Sequence, residues 1–295
     1  MAKDSVDVDG IMMAEYDGIY WPRFWPRSRP PKSNMNWEEW HREVQKMPCR
    51  EDDVWTVTFP KAGLHWSSQI LHMLMTGDTE VRNAETHFFD MNTPAETTAQ
   101  SSPRLIQTHM PINYMPKDVW SKKSKILVIL RNPKDQLVSF YHHIRSSERM
   151  QAGDEGINRF YQRFADKKLG YGDFFDFYDL WWKKSKTCDH VKLVTYEQLK
   201  KEFIKTVRDI SEFLGKPQTD DFLEKMAHVC SIENMQKNKE ILDSPGIWKD
   251  QKGTMYRKGQ VGDWKNHFTV ATNEQFDKII QERVNKDWDF KIIYE

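Results

Sequence analysis

The segment Asp53-Val-Trp-Thr-Val-Thr-Phe59, followed by Pro60-Lys-Ala-Gly63 and then Leu64-His-Trp-Ser-Ser-Gln-Ile-Leu-His-Met-Leu-Met-Thr-Gly77, decides the fold. Its β-branched and aromatic residues predict a strand over 53–59, and Pro60 and Gly63 break it. Apolar residues spaced from Trp66 to Met75 then predict a helix closing at Gly77. The same unit recurs downstream. Arg104–Thr108 reads as a short strand and Lys125–Leu130 as a fully apolar one, followed by Arg131-Asn132-Pro133 and a helix from about Lys134 to Glu148. His190–Thr195 reads as another strand, and Thr195 with Gln198 forms a capping box for a helix running to Gly215. Buried strands alternating with amphipathic helices imply an α/β fold with a central parallel sheet flanked by helices. Ligand sites in such sheets lie at the carboxyl ends of the strands, where this chain places Lys61, His109 and Arg131.

Composition narrows the possibilities. The 295 residues carry 44 Lys and Arg against 44 Asp and Glu, and include 12 Trp, 10 Tyr and 16 Phe. So many rings exclude a disordered chain, and balanced charge argues against duplex nucleic acid or an anionic membrane as partner. Three scattered cysteines (Cys49, Cys188, Cys230) fit neither a disulfide framework nor a usual zinc site. With no apolar run of membrane length and an acidic amino terminus, a cytoplasmic protein is expected. Without repeats or long linkers, one domain over residues 1–295 is expected. Residues 1–50 would form an irregular aromatic strap around Tyr20-Trp-Pro-Arg-Phe-Trp-Pro26, and residues 53–290 the α/β core.

Three loops suggest anion binding. Pro60–Trp66 joins a strand to a helix, where free N–H groups and the helix dipole favour a phosphate. The Walker pattern is absent, because the lysine precedes the glycine and no Lys-Ser/Thr pair follows to hold magnesium. Arg131 with Ser139 offers a guanidinium and a hydroxyl to one phosphate. Arg257-Lys-Gly-Gln-Val-Gly-Asp-Trp264 sets two cations beside glycines that permit close approach. Each has a plainer reading: a tight turn with an exposed lysine, an Arg131–Asp135 salt bridge, and a solvated basic turn.

Taken in order, Thr58–Trp66, Thr108-His-Met-Pro111, Arg131-Asn-Pro-Lys-Asp with Ser139, and Arg257–Asn266 resemble the cytosolic sulfotransferase family. The resemblance runs from about Val54 to Glu274. It implies a P-loop-like sulfotransferase fold, no required metal, and transfer of a sulfuryl group from 3′-phosphoadenosine 5′-phosphosulfate (PAPS) to a hydroxyl or amine of a small acceptor. By the same resemblance, His109, Lys61 and Ser139 are catalytic: His109 as base, Lys61 at the bridging oxygen of the departing 5′-phosphate. Ala62, Gly63, Leu64 and His65 supply backbone N–H groups, and Trp66 and Tyr196 meet the adenine. Arg131 and Ser139 grip the 3′-phosphate, while Cys230, Ser231, Met235, Arg257, Lys258 and Gly259 complete the nucleotide site. The family loop commonly carries hydroxyl side chains where this chain has Ala62, Leu64 and His65, which implies differently tuned cofactor binding. Gln107 stands where phenol-acting members often have a lysine, and Ile232 where an aromatic is frequent. Lys265 to Glu274 fits the family pattern for a small two-fold contact, implying a homodimer.

Family acceptor sites lie beside the base, which points to Trp21, Phe24, Phe88, Phe89, Gln107, His143 and Tyr171, an aromatic wall suited to a phenol, a steroid or a monoamine. Two other functions fit some of these features: a non-catalytic nucleotide or hydrophobe binder of the same fold, and a P-loop kinase, the latter opposed by the missing magnesium ligands. Dehydration of an alcohol through a transient sulfate ester would use the same machinery.

Overall fold

The computed structural model describes residues 3–8, 11–22, 35–83, 88–147, 156–243, 248 and 253–295. Four strands, β4 (Val54–Thr58), β5 (Leu105–Thr108), β6 (Lys125–Leu130) and β7 (Val191–Thr195), form a wholly parallel sheet in the order β5-β4-β6-β7. They are numbered after three amino-terminal strands, β1 (Lys3–Val8), β2 (Ile11–Tyr16) and β3 (Ile19–Pro22).

Side chains alternate across the central sheet, so each strand feeds two cores. Ile126, Val128 and Leu130 join Trp55, Val57 and Ile106 on one face, against Trp40, Phe177 and Trp181. Leu127 and Ile129 join Val54 and Val194 on the other, against Ile70, Leu71, Leu74 and Val207. Covering both faces requires strands that are apolar throughout, and β4 is buried at every position. The helix after β4 spans Leu64–Thr76, starts directly at Gly63 and ends on Gly77 with a left-handed φ of 73°. The helix after β6 spans Pro133–Ser146 with Asn132 as its cap.

Two expectations need correction. The described part of the first fifty residues is not irregular: β1–β3 make an antiparallel sheet, and Trp37–Lys46 is a helix with an Asn36–Glu39 capping box. The β2–β3 hairpin turns on Asp17-Gly18, whose φ values of 55° and 72° are those of the tight turn an Asp-Gly pair favours. Pro22 ends β3. The Thr195–Gln198 capping box is present, but the helix it starts stops at Lys201, and a second runs over Phe203–Phe213. Glu202 leaves the helical region there with φ −132° and ψ 49°, and neither proline nor glycine marks the break. Among the described residues no helix is long and apolar enough to cross a membrane.

Candidate active site

Strand register builds the site. Val57 lies opposite Thr108, Thr58 opposite Ile129, and Leu130 opposite Thr195, so the four carboxyl ends are side by side. The next residues, Lys61, His109, Arg131 and Tyr196, therefore reach one cleft of about 1400 Å³ including its open mouth. Arg257, Lys258 and Gly259 enter from the late loop, and Trp66, Cys230 and Met235 from the helical side. Five Lys or Arg side chains line the cleft (Lys61, Arg131, Lys200, Arg257, Lys258), and among the described residues no Asp or Glu does.

The loop after β4 is strained into a cradle. Lys61 has φ 68° and Gly63 φ 112°, and a Cβ on Gly63 would stand 3.0 Å from Cδ2 of Tyr196. Pro60 O accepts from Gln136 Nε2 (2.6 Å) and Lys61 O from Arg131 Nη1 (3.0 Å), so the end of β6 and the helix after it hold the loop by its carbonyls. Ala62 is fully buried behind the cleft and does not line it, whereas Leu64 and His65 do. Trp66 donates from Nε1 to Cys230 O (2.9 Å) and sets its ring edge-on to Tyr196.

His109 is fixed by its neighbours. Its Nδ1 lies 2.8 Å from Thr58 O, an acceptor, so Nδ1 carries the proton and Nε2 the lone pair. Burial, opposed by this bond and reinforced by the Lys61 charge, lowers its pKa to about 3. The backbone N–H of His109 donates to buried Asp90 (3.0 Å), which also accepts from the Thr108 hydroxyl. Burial lifts the Asp90 carboxyl to about 6 against these hydrogen bonds. Phe88 and Tyr171 meet the imidazole edge-on at 5.2 and 5.3 Å.

On the opposite side, the Arg131 guanidinium lies over the Tyr196 ring at 4.3 Å. Arg131 does not pair with Asp135. That carboxylate instead accepts from Gly262 N (2.7 Å), Trp264 N (2.9 Å) and Asn132 Nδ2 (2.8 Å), tying the late loop to the end of β6. Nor is the late loop a solvated turn, because Asp263 receives both Arg257 Nη2 and Lys258 Nζ at 2.7 Å. Burial pushes the Asp263 carboxyl up, but hydrogen bonds from Lys258, Asn266 and Arg257 outweigh it and hold the group well below the ordinary carboxylate range. Ser139 lines the cleft from the helix after β6.

The acceptor residues separate. Phe88, His143 and Tyr171 line the cleft. Trp21 does not; it is fully buried, stacked on Trp37 and set behind Tyr171 at 5.8 Å. Phe89 sits in the core against Trp40 and Trp55, and Gln107 is buried within β5, so neither reaches the cleft. Ser231 also stays outside, its hydroxyl spent on capping the Ile232–Lys237 helix. Phe24 lies outside the described residues. Sequence reasoning did not single out Met91, Phe140, Lys200, Met255 and Tyr256, which line the cleft, or the supporting Asp90. In the Lys265–Glu274 segment, Lys265 pairs with Glu295, Glu274 is exposed and Val270 is 76% exposed.

The sulfotransferase domain family matches residues 51–287. Cytosolic sulfotransferase 1 of Danio rerio is 33% identical over 265 residues, covering 84% of this chain and 87% of its own. Sulfotransferase 1E1 of Bos taurus is 33% identical over 262 residues, covering 84% and 88%. The crystal structure of mouse sulfotransferase SULT7A1 complexed with PAP has a TM-score of 0.78 at 26% identity, over 93% of this chain and 96% of that one. Sharing a third of its residues with these relatives along most of both chains, and folding alike, the chain belongs to the cytosolic sulfotransferase family.

Proposed function

We propose that this enzyme transfers a sulfuryl group from PAPS to the hydroxyl or amine of a small acceptor held against aromatic rings, with His109 as general base. The carrying observation is the cleft's polarity: five cations and no described carboxylate line it, and buried Nε atoms of Arg131 and Arg257 have no protein partner. Unpaired buried donors of one sign fit a ligand with several phosphate-like groups, as PAPS has. The PAP complex of the mouse relative supports the same nucleotide.

When bound, PAPS supplies the sulfuryl group, its bond to the 5′-phosphate breaking as the acceptor oxygen or nitrogen bonds to sulfur. Lys61 would balance the charge growing on that phosphate. Arg131 and Ser139 would hold the 3′-phosphate, Trp66 and Tyr196 the base, and Arg257, Lys258 and Gly259 the remaining edge. His109 would take the acceptor's proton at Nε2, oriented by the Thr58 carbonyl. Lys61 and burial disfavour the imidazolium in the free protein, and donor anions beside it would reverse the electrostatic part of that effect. Phe88, Tyr171, Phe140 and His143 would bound the acceptor, favouring a phenol, a steroid or a monoamine. The exposed Lys265–Glu274 face supports a homodimer, and the relatives named cytosolic support a cytoplasmic setting.

Incubation with ³⁵S-labelled PAPS and a panel of phenols, steroids and monoamines should label at least one acceptor. His109→Ala should lose more than a hundredfold in transfer while keeping nucleotide affinity within about threefold. Nucleotide binding with no acceptor turned over, or unchanged transfer by the variant, would overturn the proposal.

A further inference from the structure

We propose that His65 is a conditional cation of the donor site: neutral in the free cleft, and protonated as the donor's anionic groups enter, so that nucleotide binding takes up a proton. The inference rests on the donor reading above. His65 occupies the first turn of the Leu64–Thr76 helix, two residues beyond Gly63, and lines the cleft. Its Nδ1 is buried with no hydrogen-bond partner. A buried ring nitrogen without a partner is costly unless a ligand completes it.

The surroundings determine when it can be charged. Lys61 faces it from its own loop and His109 from the segment after β5, with Asp90 behind His109. Arg131 and Tyr196 come from the ends of β6 and β7, Lys200 from the helix after β7, and Arg257 and Lys258 from the late loop with Asp263 behind them. The described lining offers an imidazolium no carboxylate, only further cations. Burial first, then Lys61 and His109, accordingly lower its pKa to about 3. An entering polyanion reverses the sign of the local field, and the orphan nitrogen becomes a charge-assisted donor. A threonine or leucine at this position could not make that change of charge. The linkage has a definite sign. Binding raises the His65 pKa from about 3, so affinity falls as pH rises, by up to tenfold per pH unit between the free-state and bound-state pKa, and levels off above the bound-state value.

Calorimetry with adenosine 3′,5′-bisphosphate tests this, using the whole protein at pH 6, 7 and 8 in buffers of differing ionisation enthalpy. At pH 6 wild type should take up close to one proton more than His65→Gln and His65→Asn, proton exchange by His109 and by the ligand's own phosphates being common to all three. Should both His65 variants misfold, nitrogen-15 histidine spectra of wild type, assigned from the His65 backbone, decide directly: a neutral ring free and an imidazolium bound. Equal proton uptake by wild type and the His65 variants, or a neutral bound ring in wild type, overturns this proposal alone. Absence of any nucleotide binding overturns the donor reading and this proposal together.

Discussion

Replacing Asp135 by alanine should damage the late loop and the nucleotide site from a position that does not line the cleft. Asp135 is buried, and its two oxygens accept Gly262 N, Trp264 N and Asn132 Nδ2 at 2.7 to 2.9 Å. Alanine would leave three donors without this acceptor. Each orphaned buried donor costs about 1–3 kcal/mol, and because Gly262 and Trp264 are only half-buried, water recovers part, leaving a loss of about 3–5 kcal/mol. For a chain of this size that is a fall in Tm on the order of 10 °C. Gln236 holds the other end of the segment through the carbonyls of Tyr256 (3.0 Å) and Arg257 (2.8 Å), and Trp264 Nε1 still donates to Tyr294 O (2.9 Å), so the loop is loosened and not released. Affinity for adenosine 3′,5′-bisphosphate should drop about tenfold, or ~1.4 kcal/mol. Asp135→Asn keeps one acceptor oxygen but turns an amide toward an N–H, so about half the loss is expected. Thermal unfolding and calorimetric binding on the same preparations give both numbers. A Tm within 2 °C of wild type for Asp135→Ala, with affinity unchanged, would refute the assignment of this carboxylate as the loop's anchor.

Gly63→Ala should lose about 2–4 kcal/mol in urea unfolding and most nucleotide affinity, since its φ is 112° and the new Cβ would meet the Tyr196 ring at 3.0 Å; wild-type binding would contradict this. Glu197 accepts from Asn132 N (3.0 Å), and burial outweighs that bond to lift its carboxyl from 4.5 to about 7. A raised acid destabilises the fold once ionised, so the penalty builds as pH rises from about 4.5 to 7, and Glu197→Gln should match wild type at pH 4 yet exceed it by roughly 2–3 kcal/mol at pH 8. Urea midpoints across pH check it, and a constant difference would count against the reasoning. If the proposed homodimer forms through this face, Val270→Glu, at a 76% exposed site, should alter stability by less than about 0.5 kcal/mol while shifting sedimentation from dimer to monomer; a variant that sediments as wild type does would remove this face as the interface.

The central sheet was legible because its signals are local and mutually consistent. Lys125–Leu130 is apolar at alternate and intervening positions alike, as burial on both faces demands, and the Thr195–Gln198 box is used as read. Register then carries Lys61, His109, Arg131 and Tyr196 to one cleft with no further information needed. The amino-terminal sheet was missed because the aromatic and proline content of 20–26 outweighed the Asp17-Gly18 turn, the one local signal that a hairpin was present. Trp21 and Phe89 show a different limit. An aromatic ring serves core and cavity equally, and only its partners, here Trp37 for one and Trp40 with Trp55 for the other, decide which. Asp90 and Asp135 were illegible as supports because they act across 19 and 129 positions, Asp135 also leaving Arg131 free to lie over Tyr196.

Zero net charge and a cation-lined cleft are compatible because the balancing carboxylates sit one layer behind. Asp263 grips Arg257 and Lys258 from outside the cleft, and Asp135 grips the same loop by its backbone. This arrangement orders the cations before any anion arrives, so their side-chain entropy is lost on folding instead of on binding. Arg131 and Arg257 each retain a buried Nε without a protein partner, which leaves the inner layer short of acceptors while the whole chain is neutral. A polyanion entering there meets donors already in place and needs to displace little beyond water. The favourable field is then confined to the cleft, which explains how a protein of zero net charge can hold a densely charged nucleotide.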